Sequence, residues 1–136
     1  MTKKEIDKIV SDLIQEVGSG DIYDIISFLD IKIKKYGSKT FYYKVHDNKH
    51  IVLDEDVPDE LEAFVLAHEV GHSILHDEEI YYYSSLIVPK TRIEREADYF
   101  AFKLLGKEID LSYDFTTEQY AKMLGVNEEI IKYILK

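Results

Sequence analysis

The chain contains no cysteine among its 136 residues. Disulfide bridges are therefore excluded, and so are zinc fingers and other zinc sites built on thiolates. A transition-metal site in this chain has to use histidine, aspartate or glutamate as ligands. Proline and glycine are also scarce, with two and six residues. Such a composition is not that of a disordered or collagen-like protein.

Long apolar runs are missing as well. The first ten residues are charged and contain no apolar stretch typical of a secretory signal, and no later segment is apolar over the length of a bilayer. We therefore expect a cytoplasmic protein with no membrane partner. Because 46% of the residues are apolar, a chain of this length can build one buried core, and we expect a single compact unit.

Basic residues are the minority among the charged ones. Lysine and arginine number 17 against 27 aspartates and glutamates, which gives a formal net charge of -10. This charge repels a phosphate backbone, so we expect no direct DNA binding. The acidity suits a basic or neutral partner, or it serves solubility alone, and net charge does not distinguish between these roles.

The hydrophobic periodicity predicts an α+β fold. Alternating residues and turn signals over about 31–53 predict a small antiparallel sheet. Apolar residues recur with helical spacing in five segments, at 2–17, 21–29, about 59–77, about 91–105 and, as a short helical pair, 113–136. We expect residues 1–112 to form the main domain, with the sheet packed on its helical core, and the C-terminal pair to belong to the same compact unit.

One predicted helix carries the sequence His68-Glu69-Val70-Gly71-His72, an H-E-x-x-H motif. Two histidines four residues apart project from the same face of a helix and can share one zinc ion. Glu69 lies beside them, where it can accept a proton from an attacking water molecule. A chance match in a solvated helix is the alternative, but the apolar residues before the motif draw His68 toward the interior.

Gly71, inside the motif, is an unfavourable residue for the middle of a helix. It costs about 1 kcal/mol relative to alanine. We therefore expect another part of the protein to approach the helix closely at this position.

A third metal ligand has to come from outside this helix, because catalytic zinc sites usually have three protein ligands and a position for water. The best candidate is Glu94 on the next predicted helix. Asp98 shares its face and can accept the free ring N–H of a ligating histidine. Glu94 also has a competing role, since Thr91 precedes it with capping-box spacing. Glu96 is predicted to point away from this face.

His76 lies four residues beyond His72, which is the wrong spacing for a third ligand of the H-E-x-x-H-x-x-G-x-x-H type. Two other roles remain for it. It is either a hydrogen-bonding neighbour of a metal ligand or a favourable charge at the C-terminus of the helix.

Two further segments are candidates for the surroundings of the motif. The three tyrosines at 81–83 either hydrogen-bond a developing oxyanion or cover the edge of the core. The strand at 50–53, if it lies at a sheet edge beside the motif, can receive an extended substrate by strand addition.

The segments FVLAHEVGHSILH and EREADYFAFKLL resemble the two signature helices of the ImmA/IrrE family of metallo-endopeptidases. With the sheet before them, the resemblance covers roughly Ile22 to Leu105. The E-x-x-x-D arrangement also occurs in gluzincin peptidases. The resemblance implies zinc as the cofactor, and it implies these roles: His68, His72 and Glu94 as ligands, Glu69 as the catalytic glutamate and Asp98 as the orienting carboxylate.

The resemblance also implies a biological role, because members of this family cleave or inactivate helix-turn-helix repressors. It leads us to expect a zinc endopeptidase that cuts such a repressor and relieves the repression of a phage or mobile element. The alternative is a non-catalytic antirepressor, braced by zinc, that binds the repressor without cutting it. Glu69 favours the enzyme, since a binder needs no base there. A purely structural zinc site is less favoured, because such sites usually have four ligands.

The C-terminal pair itself has the spacing of a helix-turn-helix. Its second helix, however, begins with Glu128 and Glu129, whose charges repel DNA. We expect the pair to be a packing element or a surface for substrate docking.

Overall fold

The computed structural model describes residues 1–77 and 90–136. It has an α+β fold, as the sequence predicts. In chain order the elements are α1 (Lys3–Val17), α2 (Ile22–Phe28), β1 (Ile31–Lys35), β2 (Phe41–Val45), β3 (Asn48–Leu53), α3 (Asp59–Leu75), α4 (Lys90–Leu104), a short 3-10 helix (Leu111–Tyr113), α5 (Thr117–Leu124) and α6 (Glu128–Leu135). Among the described residues, no helix combines the length and apolar character needed to cross a membrane.

The three-stranded sheet has the order β1-β3-β2. Strand β2 pairs with β3 in the antiparallel sense, but β1 pairs with β3 in parallel. The sheet is therefore mixed, and the expectation of a purely antiparallel sheet is wrong for the β1 pairing. Burial explains the order: Ile51 and Leu53 of β3 are buried, while β1 carries exposed lysines that suit an edge.

The central place of β3 also changes where a substrate strand can bind. Residues 50–53 have neighbouring strands on both sides, so the interpretation of this segment as a sheet edge is wrong. Strand β2 is the edge that lies against α3.

Helices α3 and α4 pack face to face and form the centre of the main core, and α3 also packs against β2 and β3. Gly71 lies in this interface, where a Cβ atom would come within 3.0 Å of Phe100 Cδ1 and 3.3 Å of the backbone of Ala97. This confirms the expected close approach at Gly71. The largest fully buried side chains of this core include Ile6, Ile25, Ile51, Leu66, Val70 and Phe100.

The C-terminal helices follow the sequence pattern closely. Gly125 ends α5 in the left-handed conformation, and the Asn127 side chain caps α6 by accepting a hydrogen bond from the Glu129 backbone. The pair packs its apolar faces on Phe102 of α4. Tyr133 extends this contact to the main core.

Candidate metal centre

Three side chains from α3 and α4 converge at one point. His68 Nε2 lies 3.1 Å from His72 Nε2, because the two residues are one turn apart on the same face of α3. Glu94, on α4, reaches both rings: its Oε2 lies 3.0 Å from His68 Nε2 and its Oε1 lies 3.2 Å from His72 Nε2. The structure thus brings together the three ligands predicted from the sequence.

These residues form a group that could hold a metal ion. Each offers one ligand atom, and the three atoms all lie within 4.8 Å of one another. Two imidazole nitrogens and a carboxylate oxygen suit first-row transition metals, and three protein ligands leave room for a further one. The group opens into a cavity of about 200 Å³ whose other lining residues include Thr40, Phe41 and Ile93.

The capping-box alternative for Glu94 does not match the helix. Thr91 lies inside α4, which already begins at Lys90, so it is not the residue that precedes the helix. The Glu94 carboxylate contacts the two imidazoles instead.

The charges in the group are strongly coupled. Burial by itself lowers the pKa of His68, but the hydrogen bonds to Asp98 and Glu94 raise it to about 10. The same bonds from His68 and His72 hold the pKa of Glu94 well below its ordinary value. Each nitrogen of the His68 ring therefore faces a carboxylate, Nδ1 that of Asp98 and Nε2 that of Glu94. A cation bound at the cluster would replace the hydrogen bond between Nε2 and Glu94.

Glu69 is buried beside the cluster, with only 7% of its surface exposed. Its carboxylate approaches His68 Nε2 no closer than 3.9 Å, so it is less well placed than Glu94 to be a ligand. Burial raises the pKa of Glu69, and the nearby Glu94 adds to this, while His68 and His72 lower it and the backbone of Tyr42 donates a hydrogen bond. A carboxyl group with a raised pKa at the edge of a cavity is suited to accept a proton.

Asp98 lies behind the first histidine. Its Oδ1 is 2.6 Å from His68 Nδ1, the nitrogen on the far side of the ring from the cluster. When Nε2 faces a metal, Nδ1 carries the hydrogen and donates a hydrogen bond to this carboxylate. Asp98 thus has the contact predicted from the sequence.

His76 caps the end of α3 and is almost completely buried, with 1% exposure. Its Nδ1 lies 3.1 Å from His72 Nδ1, and its Nε2 lies 2.7 Å from Glu96 Oε1. Of the two roles that the sequence left open, these contacts support the hydrogen-bonding neighbour of a metal ligand.

Glu96 is the residue that the sequence reading missed. Glu96 makes its contacts away from the face of Glu94 and Asp98, but it does not face solvent: it is 3% exposed and joins His76 across the helix interface. A signal for this was present, because Glu96 falls in the same helical stripe as Ile93, Ala97 and Phe100, which are all buried. An acidic residue within an apolar stripe is a candidate for a buried polar role. The tyrosines at 81–83 lie outside the described residues.

Comparison with protein families agrees with this geometry. Residues 25–136 match the Peptidase_M78 family model, described as the IrrE N-terminal-like domain. The chain belongs to the ImmA/IrrE family. The match extends through both helices of the metal centre and the C-terminal helical pair. No curated protein matches the chain. Membership in this peptidase family supports a metallopeptidase-type function with a protein substrate.

Proposed function

We propose that this member of the ImmA/IrrE family is a zinc-dependent endopeptidase. In this proposal His68, His72 and Glu94 bind the zinc ion and Glu69 is the catalytic base. The observation that carries the proposal is the convergence of three side chains, with pairwise contacts of 3.0 to 3.2 Å, beside a buried carboxylate in a cavity.

The residues of the chain have separate tasks in this reaction. A bound zinc ion would supply Lewis acidity, which polarises the scissile carbonyl and acidifies a water molecule. Glu69 accepts the proton of the attacking water and can return it to the departing amine. Its buried position raises its pKa, which brings its basicity closer to neutral pH. Asp98 keeps the His68 ring oriented through the 2.6 Å contact.

The edge of the sheet offers a binding position for an extended peptide. In the described part of the chain, β2 pairs with β3 alone, and its residues Phe41 and Tyr42 line the cavity. A peptide added along β2 would lie beside the cavity that Glu69 and the cluster also line. Binding of this kind depends on hydrogen bonds to the substrate backbone. The substrate segment therefore has to be extended or able to become extended.

For the substrate we propose a helix-turn-helix repressor, cut to relieve the repression of a phage or mobile element. The family resemblance implies this class of partner, and the net charge of -10 suits the basic surface of a DNA-binding domain. The second candidate is an antirepressor that binds the same partner without cutting it. The buried Glu69 beside the cluster favours the enzyme, because burying a carboxylate is costly and a protein that only binds has no use for a base at this position.

The experiment that separates the two candidates is Glu69→Gln, co-expressed with the repressor encoded beside this gene. Glutamine keeps the size of the side chain but cannot accept the proton. Zinc content should therefore stay at the wild-type level, while the rate of cleavage should fall at least about a hundredfold. Intact-mass analysis of the repressor measures the cleavage. Glu60→Gln, an exposed position on the same helix, is the matched control and should cleave normally.

The same variant also tests the biological role in a reporter strain. Repression should persist with Glu69→Gln and be lost with the wild type and with Glu60→Gln. Relief of repression by Glu69→Gln at the wild-type level would reject proteolysis as the operative step and favour the antirepressor.

A further inference from the structure

The two histidines of the cluster are held in different ways. His68 Nδ1 contacts the carboxylate of Asp98 directly, at 2.6 Å. His72 Nδ1 contacts no carboxylate in the described part of the chain, and it meets the ring of His76 at 3.1 Å. The carboxylate of Glu96 lies on the far side of the His76 ring, with its Oε1 2.7 Å from His76 Nε2.

The positions of the protons along this chain follow from the geometry of the cluster. His72 Nε2 faces His68 and Glu94, so as a ligand it has to be unprotonated and Nδ1 has to carry the hydrogen. A ring N–H needs an acceptor, and His76 Nδ1 accepts only with a free lone pair. The proton of a neutral His76 is then on Nε2, where it donates to Glu96 Oε1.

The chain has one consistent direction, with His72 donating to His76 and His76 donating to Glu96. The reverse direction fails, because the Glu96 carboxylate has no hydrogen to donate and His72 Nδ1 would have to be unprotonated. Glu96 also accepts from Arg92 Nη1 at 3.2 Å and from the amino group of Met1 at 3.0 Å. These donors keep the carboxylate charged, so it stays an acceptor for His76.

We propose that His76 and Glu96 are positioning residues that fix the tautomer and ring orientation of His72 for metal binding. The proposal rests on the metal-binding part of the proposed function and not on its peptidase activity. Loss of partners of this kind typically weakens metal binding by about 10- to 100-fold. The competing explanation is that the pair only fastens the end of α3 to α4.

A single substitution does not separate these explanations. His76→Leu removes the acceptor for His72, but it also removes one of the three donors to the buried Glu96 carboxylate, which destabilises the fold. In the double variant His76→Leu/Glu96→Leu, two apolar side chains of similar size replace the buried polar pair. Such exchanges are often neutral or stabilising. Arg92 and the amino group of Met1 lose the Glu96 carboxylate as well, but both are partly exposed and can bond to water instead. The metal-free double variant should therefore unfold at a temperature near that of the wild type.

Zinc affinity is measured by competition with a chromophoric chelator, with thermal unfolding of the metal-free proteins beside it. We expect the double variant to be as stable as the wild type without metal and to bind zinc about 10- to 100-fold more weakly. A double variant that is stable and binds zinc as tightly as the wild type would overturn the proposal and leave the pair a purely structural role.

Nitrogen-15 NMR of the imidazoles tests the proton positions directly in the zinc-loaded protein. The wild type should show His76 with a proton on Nε2 and none on Nδ1. Glu96→Gln should keep this pattern, because the amide oxygen still accepts, whereas Glu96→Leu should lose the single tautomer. A wild-type His76 that is doubly protonated, or protonated on Nδ1, would overturn the proposal even if the affinities behaved as expected.

These outcomes are distinct from a failure of the peptidase proposal. A wild type that binds zinc and cuts no substrate rejects the endopeptidase and leaves the positioning role intact. Tight zinc binding by both the wild type and the stable double variant rejects the positioning role alone. A wild type that does not bind zinc rejects both.

Discussion

Asp98 Oδ1 lies 2.6 Å from His68 Nδ1 and joins α4 to the face of α3 that carries the cluster. Removing this acceptor leaves the ring free to turn and to change tautomer. Asp98→Ala should therefore weaken zinc binding about 10- to 100-fold, and Asp98→Asn should weaken it less, because its amide oxygen can still accept. Chelator competition measures both. Asp12→Ala, at an exposed position on α1, should bind as the wild type does; equal binding by Asp98→Ala would contradict the prediction.

Glu94 bridges the two imidazoles at 3.0 and 3.2 Å, so it should be indispensable for holding the metal. Wild-type protein should carry about one zinc ion per chain after desalting, and Glu94→Ala should carry almost none. Elemental analysis gives the metal content. Glu108→Ala, beyond the end of α4 and exposed, is the control that should keep its zinc. Full occupancy in Glu94→Ala would mean that another residue supplies the third ligand.

Gly71 should resist replacement even by alanine. Alanine favours the helix by about 1 kcal/mol, but its Cβ would come within 3.0 Å of Phe100 and 3.3 Å of the Ala97 backbone. Overpacking of this kind costs about 1 to 3 kcal/mol, and we expect Gly71→Ala to lower the free energy of unfolding by about 1 kcal/mol net.

Urea unfolding of the metal-free proteins measures this change. Gly20→Ala is the matched control, because there a Cβ would meet only ordinary contacts at 3.9 Å or more. That variant should be neutral or more stable by up to about 1 kcal/mol. Equal stability of the two alanine variants would show that α3 and α4 can separate at Gly71 at no cost.

Asp77 should make the stability of the fold depend on pH in the acid range. Burial by itself raises the pKa of Asp77, but hydrogen bonds from Lys44 and Tyr42 lower it below its ordinary value. A carboxyl group with a lowered pKa in the folded state stabilises the protein above its ordinary pKa, and this contribution is lost as the pH falls through the lowered value.

The difference in unfolding free energy between wild type and Asp77→Asn should therefore be constant near neutral pH and shrink below a pH of about 4. Urea unfolding at a series of pH values measures it. Lys44→Met should reduce the same difference, because it removes one cause of the lowered pKa. A difference that stays undiminished well below the ordinary pKa of Asp77 would refute the prediction.

The part of the site that could be predicted from sequence is the part set by one helix. The spacing of His68 and His72 alone determines that they share a face, and Glu94 and Asp98 follow the same rule on the next helix. Which face of α3 meets which face of α4 depends on the packing between the two helices. Gly71 is a local indication of that contact, because a close neighbour explains a glycine in the middle of this helix.

The sheet order and the burial of Glu96 are harder to predict from the sequence, for different physical reasons. Alternation along β1 indicates a strand, but it contains no information on strand direction, so it does not predict the parallel pairing of Ile33 with Ile51. The rotation of Glu96 relative to Glu94 predicts only that it leaves the cluster face, whereas its burial follows from its place in the apolar stripe of α4. Its partner His76 comes from another helix, and that pairing is a tertiary contact.

The cluster takes its ligands from α3 and α4, which are separated in the chain by residues 76–89. A metal ion shared by these helices acts as a removable crosslink, since it binds the folded arrangement and not the unfolded chain. At a free metal concentration 100 times the dissociation constant, it would add about 2.7 kcal/mol to the stability. The lifetime of the protein in a cell that degrades unfolded chains would then rise and fall with the supply of that metal.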